Sequence, residues 1–291
     1  MRYEGPIYRP PSEADSLLIQ ATVGCPHNKC TFCTVYKKGP RYRARPVGEI
    51  AADLHEARRV YGDCFRAIFF PAGNSIAMPA DDLAEVLRIA RELFPGLERM
   101  TVYGSAKYIL QKGELGLEKL SRAGLTRVHV GLESGDEEVL ASVRKGCDRR
   151  QQIEAGLMLR RAGIENSTYV MLGLGGKGKS REHALNTAMV LNDVQPEFVR
   201  LRTFVPKVNT ALLKKVEKGR FAMLGPHEVL RETRLLLESC RARTWLTSDH
   251  YTNYLNLEGC LPRDREAMLR RIDAGLELEE SRFRPFFVGR E

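Results

Sequence analysis

Three cysteines, Cys25, Cys30 and Cys33, fall within the stretch Gly24-Cys25-Pro26-His27-Asn28-Lys29-Cys30-Thr31-Phe32-Cys33. They are separated by four and then two residues and follow the apolar run Leu17-Leu18-Ile19. Three thiolates on one short loop can hold three irons of a cubane cluster and leave the fourth iron open, the arrangement of a reaction centre rather than a passive wire. Zinc is the competing chemistry, with His27 as a fourth donor, although the second Cys-x2-Cys knuckle usual in structural zinc sites is missing. The remaining cysteines, Cys64, Cys147, Cys240 and Cys260, are isolated and read as small buried apolar residues. Seven cysteines, an odd number, argue against a disulfide framework and for thiol or metal chemistry in a reducing compartment.

Other stretches also carry chemistry-bearing types. Gly173-Leu174-Gly175-Gly176-Lys177-Gly178-Lys179-Ser180 fits the phosphate-binding pattern G-x4-G-K-[ST] and sits between a strand-like run and a helical one. No apolar strand ending in Asp follows it, so ATP or GTP binding is the weaker reading of this turn. Glu133, in Val130-Gly131-Leu132-Glu133-Ser134-Gly135, is a carboxylate at the end of an apolar run, costly to bury unless it is used or paired. Arg200 and Arg202 alternate and share one strand face. Ser248-Asp249-His250-Tyr251-Thr252-Asn253-Tyr254 offers Asp249 and His250 as an acid/base or substrate contact, against the plainer reading of a hydrogen-bonded turn.

These residues need a scaffold. Short β-rich apolar runs at 16–22, 65–70, 99–103, 126–132, 167–172 and 197–204 alternate with helical spacing at 47–61, 79–94, 114–123, 149–162 and 180–193. That alternation predicts an α/β fold with a parallel sheet, a partial barrel or an open doubly wound sheet, with chemistry at the C-terminal strand ends. Residues 1–14, rich in Pro and charge, read as an arm. From about 206 the pattern changes to a Lys-rich stretch at 207–220, helices at about 226–243 and 262–278, and a final run, 282–291, with three Phe that pack back on the body. The chain has 291 residues, 43% of them hydrophobic, enough for one large domain or two modest ones. No apolar run is long enough for a membrane span and no signal peptide is visible, so a soluble cytoplasmic protein is expected. A net charge of +9, dense in the run 37–45, suits either a solvated surface or an anionic partner, nucleic acid included.

Cys-x4-Cys-x-Phe-Cys after a first strand resembles the radical S-adenosylmethionine (SAM) superfamily, with one residue more between the first two cysteines than the usual pattern. The resemblance implies a partial (βα)6 TIM-type barrel over residues 15–205 with a small helical C-terminal extension, 206–291. It implies a [4Fe-4S] cluster on Cys25, Cys30 and Cys33, with SAM chelating the open iron. Reductive cleavage of SAM then yields a 5′-deoxyadenosyl radical that abstracts hydrogen from a substrate. Phe32 matches the aromatic position beside adenine. Gly73 and Asn74, in Pro71-Ala72-Gly73-Asn74, stand where relatives meet the methionyl amino group. Ser105, Glu133, Ser134, Gly173, Gly175 and Arg202 are the further cofactor contacts it implies. The Gly-x-Glu-Ser segment resembles the coproporphyrinogen oxidase-like and Elongator-type branch. The substrate is open, an RNA among the alternatives, as is an iron–sulfur sensor that never consumes SAM. Ferredoxin or flavodoxin is the expected reductant.

Overall fold

The computed structural model describes residues 1–290, and its contacts divide the chain into two compact units. The first comprises Met1–Asn28, Val35–Val130 and Ala155–Asn166; the second comprises Lys29–Thr34, Gly131–Glu154 and Ser167–Glu291. Glu291 itself lies outside the described residues. No helix among them is long and apolar enough to cross a membrane.

In the first unit, β1 (Leu17–Leu18) is followed by a two-stranded antiparallel ribbon of β2 (Thr22–Val23) and β3 (Arg43–Ala44). Then come α1 (Val47–Tyr61), β4 (Ala67–Phe70), α2 (Ala80–Leu93), β5 (Arg99–Gly104), α3 (Ala106–Ala123) and the start of β6 (Arg127–Glu133). β1, β4, β5 and β6 pair in parallel, with Leu17 opposite Ile68, Ile68 opposite Met100 and Val102 opposite Val128. Ile68, Phe69 and Phe70 are fully buried, as expected of parallel strands. On α2, Leu83, Val86, Leu87 and Ala90 recur at helical spacing and form its buried stripe. Gly113, at φ +66 and ψ 171, is non-helical and divides α3 in two: the second half begins at the expected 114, and the first, from Ala106, is unexpected.

The N-terminal arm is tied into this unit. Glu13, fully buried, accepts from Ser16 Oγ at 2.6 Å, meets Arg99 at 3.1 Å and lies 2.9 Å from His129 Nε2.

In the second unit come α4 (Glu137–Ser142), the start of α5 (Arg149–Arg161), β7 (Glu165–Leu172), α6 (Gly176–Val194) and β8 (Phe198–Thr203). They are followed by α7 (Ala211–Glu217), α8 (Pro226–Ser239), β9 (Thr244–Thr247), β10 (Glu258–Leu261) and α9 (Arg265–Leu276). β7, β8 and β9 are parallel, and β10 closes antiparallel on β9. The expected helix 226–243 stops at Ser239, and residues 240–243 are irregular and lead into β9, which carries Trp245. The Lys-rich stretch, expected to lack an element, holds the short α7, capped by the Thr210 hydroxyl. The tail does return to the body: Gly289 bridges Lys207, and its N–H donates to the Pro206 carbonyl.

Candidate functional site

The cysteine loop leaves β2 through Gly24, whose φ of +71 and closeness to the Pro40 carbonyl leave no space for a side chain. The Gly24 carbonyl accepts from Gly73 N at 3.0 Å, which ties the loop to the turn after β4. That turn is tight. A Cβ on Gly73 would stand 2.6 Å from Cys25 Cβ and 2.7 Å from the Tyr36 ring. Ala72 and Asn74 both take positive φ, +98 and +79, and Ser75 Oγ braces the turn by donating to the Phe70 carbonyl. Two donors point at the Cys25 sulfur, Asn28 N at 3.4 Å and Asn74 Nδ2 at 3.6 Å. Near the same thiol, the Tyr42 hydroxyl is buried without a partner, and burial, Tyr108 and Cys25 push its pKa up to about 12.

The second half of the loop belongs to the second unit. Thr31 N donates to the Val143 carbonyl, and the Thr31 carbonyl accepts from Leu212 N. Phe32 packs against an apolar group of Val139, Val143, Leu174, Phe204 and Leu212, with Met171 beside it. Lys145, almost fully buried, donates to Glu133 Oε1 at 3.1 Å. Burial alone would lower the Lys145 pKa, but Glu133 and the thiols of Cys30 and Cys147 outweigh it and raise it. Glu133 itself sits at φ +65, a left-handed conformation uncommon outside glycine.

All three thiols are half-buried, and among the described residues no three His, Cys, Asp or Glu side chains are gathered to hold a metal ion. The surroundings nonetheless fit an anionic iron–sulfur cluster. Three thiols share one loop, N–H groups reach Cys25, an ammonium lies beside Cys30, and buried hydroxyls of Tyr42 and Thr31 have no partner.

The phosphate-binding pattern has a different occupant. Glu232, buried on α8, accepts from Gly173 N at 2.6 Å and from Ser180 Oγ at 2.5 Å, so a carboxylate of the chain fills the anion position. Lys177 pairs with Glu228 and Lys179 with Glu138. His183, also buried, stands 3.7 Å from Glu232 and 2.8 Å from Ser134 Oγ. Ser134 and Gly173 are thereby brought into one polar network, while Gly175 stands at the N-terminal cap of α6.

Ser105 stands at the N-cap position of α3 without a side-chain capping hydrogen bond. Arg202 meets His250 Nε2 at 3.0 Å, and Arg200 reaches Ser167 and Thr247. The segment after β9 is a hydrogen-bonded turn: His250 Nδ1 meets Thr252 Oγ1, and Asn253 ties the turn to Thr203 and Leu201. Asp249 is exposed and its carboxylate pairs with neither ring nitrogen. Burial, with Arg202 and Lys207 nearby, pushes His250 down to about 4, so its ring is neutral near pH 7. Lys145, Glu232 and His183 escape the sequence reading because each meets its partner across a distance no local motif encodes.

A family model for the radical SAM superfamily matches residues 19–188, more than half of the sequence. The chain belongs to the radical SAM superfamily. It is 23% identical over 201 residues to tRNA-2-methylthio-N(6)-dimethylallyladenosine synthase of Roseiflexus sp., a match covering 67% of this chain and 41% of that one. It is 25% identical over 279 residues to biotin synthase of Gloeothece citriformis, covering 87% and 73%. Among solved structures, methylornithine synthase superposes with a TM-score of 0.55 at 18% identity, over 91% of this chain and 83% of that one. The chain thus spans less than half of the tRNA-modifying synthase. The shared fold is the α/β, TIM-type partial barrel of this superfamily, whose members are enzymes that use a [4Fe-4S] cluster and SAM.

Proposed function

We propose that this radical SAM enzyme holds its cluster on Cys25, Cys30 and Cys33 and uses SAM cleavage to abstract hydrogen from an organic substrate. The observation that carries this reading is the Cys25 environment: a glycine pressed against the ligand residue and two N–H donors on its sulfur. When bound, the cluster and SAM supply one-electron cleavage to methionine and a 5′-deoxyadenosyl radical. The protein's part is to bind, orient and exclude water. Gly73 and Asn74 shape the turn beside Cys25, and Phe32 offers a flat face for adenine. Glu133, its charge balanced by Lys145 on one oxygen, accepts hydrogen bonds from SAM on the other. Ser105, Ser134, Gly173, Gly175 and Arg202 complete the assigned contacts, Ser134 being held by His183. Residues 15–205 form the catalytic core in this reading, after an arm of 1–14 and before an extension of 206–291.

The test is anaerobic reconstitution followed by dithionite and SAM. Formation of 5′-deoxyadenosine is expected, and its absence from a protein with an intact cluster would sink the proposal. Replacing all three cysteines by Ala should abolish both cluster absorbance and product. A second reading, action on RNA, is motivated by the net charge of +9 and by relatives named for tRNA reactions. RNA affinity that falls steeply between 50 and 200 mM salt, by about 10³ or more if six phosphates are contacted, would favour it.

A further inference from the structure

The second unit contains a cavity of about 580 Å³, within the usual size of a small-molecule site. Its wall includes Phe204, the residue that directly follows β8, so it lies at the strand end where this class of fold places its chemistry. Phe204 also belongs to the apolar group against which Phe32 packs, and Phe32 adjoins Cys33. One aromatic side chain therefore links the cavity wall to the cysteine loop.

Apolar side chains on the lining include Met223, Leu224, Phe286 and Phe287 beside Phe204. Four charged side chains face it, and three are committed. Lys177 pairs with Glu228 at 2.8 Å, and Glu280 accepts from His227 N at the start of α8. Arg284 is different. Its guanidinium carbon lies 4.2 Å from the Tyr254 ring centroid and 5.1 Å from that of Phe287, and its Nε donates to the Thr252 carbonyl. Among the described residues no carboxylate forms an ion pair with it. Stacking, a second donation from Nη1 to the Pro285 carbonyl and contact with Tyr254 hold the half-buried guanidinium in place without an ion pair, which leaves it able to meet one anionic group.

We propose that this cavity binds the organic substrate, and that the substrate carries one anionic group, held by Arg284, on a flat apolar body lodged among Phe204, Met223 and Phe287. This rests on the enzyme reading above, and the experiment separates the two.

The probe is 8-anilinonaphthalene-1-sulfonate, followed by fluorescence titration of the full chain, with near-UV circular dichroism confirming native packing. Saturable binding of one equivalent is expected, weakened at least about tenfold in Arg284→Gln, the scale of one charge-assisted hydrogen bond. N-phenyl-1-naphthylamine, the same body without the sulfonate, should bind wild type and Arg284→Gln alike. Met223→Trp, which fills the cavity, should exclude both probes. Sulfonate binding that is indifferent to both substitutions would overturn the proposal, as would displacement by RNA but not by small aromatic acids. Cleavage of SAM by the wild-type protein is measured separately. Arg284-dependent binding without SAM cleavage overturns the substrate role and the enzyme reading while the ligand site stands; SAM cleavage without Arg284-dependent binding overturns the site alone.

Discussion

Glu13 is a carboxylate with no exposed surface, held among His129, Ser16 and Arg99. Burial on its own would raise its pKa, but those partners outweigh burial and bring it down to about 2. Between its ordinary value near 4.5 and about 2, the unfolded chain binds more protons than the folded one. The stabilisation is therefore complete above about pH 4.5 and is lost as pH falls toward 2, by about 3 kcal/mol at most. Glu13→Gln should flatten the dependence of the urea midpoint on pH in that window. At Gly73 the constraint is space. Gly73→Ala should stay folded by far-UV circular dichroism yet hold less iron after reconstitution, because its Cβ displaces Cys25 or Tyr36. Lys145→Met leaves the Glu133 charge unpaired and should destabilise the fold by about 3–5 kcal/mol in urea unfolding. It should also lower the cluster potential in a redox titration, since a cation beside Cys30 is lost. The cysteines are legible from sequence because their spacing is local, and Gly73 only through the family resemblance, since its neighbours Cys25 and Tyr36 are distant in sequence. Lys145 is not, since nothing in its surroundings names Glu133 as its partner.

At the level of elements, the turn from β7 to α6 shows how a motif can match in letters and differ in chemistry. In residues 173–180 the Gly173 N–H and the Ser180 hydroxyl are already taken by Glu232 from α8, and the Lys177 N–H by the Ala222 carbonyl. Neither ATP nor GTP should bind measurably by isothermal titration calorimetry. Lys179→Ala should change stability by less than about 1 kcal/mol, because its pair with Glu138 is a surface one. Glu232→Ala strands a buried N–H and a hydroxyl and should cost about 2–4 kcal/mol. Helix α1 was legible to the residue, because its apolar spacing runs cleanly from Val47 to Tyr61. β9 and β10 were not. Thr-Trp-Leu-Thr falls between the expected helix and the polar turn with no element assigned, and β10 straddles the end of that turn; β9 becomes a strand by pairing with β8, and β10 by pairing with β9.

For the whole molecule, what escaped the sequence is what long-range packing assembles. The cavity draws on residues near 177, 204, 223, 254 and 284, five stretches with no shared local signal. Long-range placement also orders the response to acid. His250, depressed to about 4, contributes stability that is complete above its ordinary 6.5 and is lost as pH falls through that window, since the unfolded ring binds the proton more readily. The window for Glu13 lies lower. His250 is in the second unit and Glu13 in the first, so acidification should loosen the second unit at higher pH.

Trp245 makes that order observable. It is the sole tryptophan, 39% exposed on β9, the strand that joins β8 to β10 in the second unit. Its emission is an optical tag on one unit alone, while far-UV ellipticity averages over both. If the two signals trace one curve in urea, the chain melts as a single cooperative block; if the tryptophan signal moves first, the enzyme is two thermodynamic bodies sharing one cysteine loop.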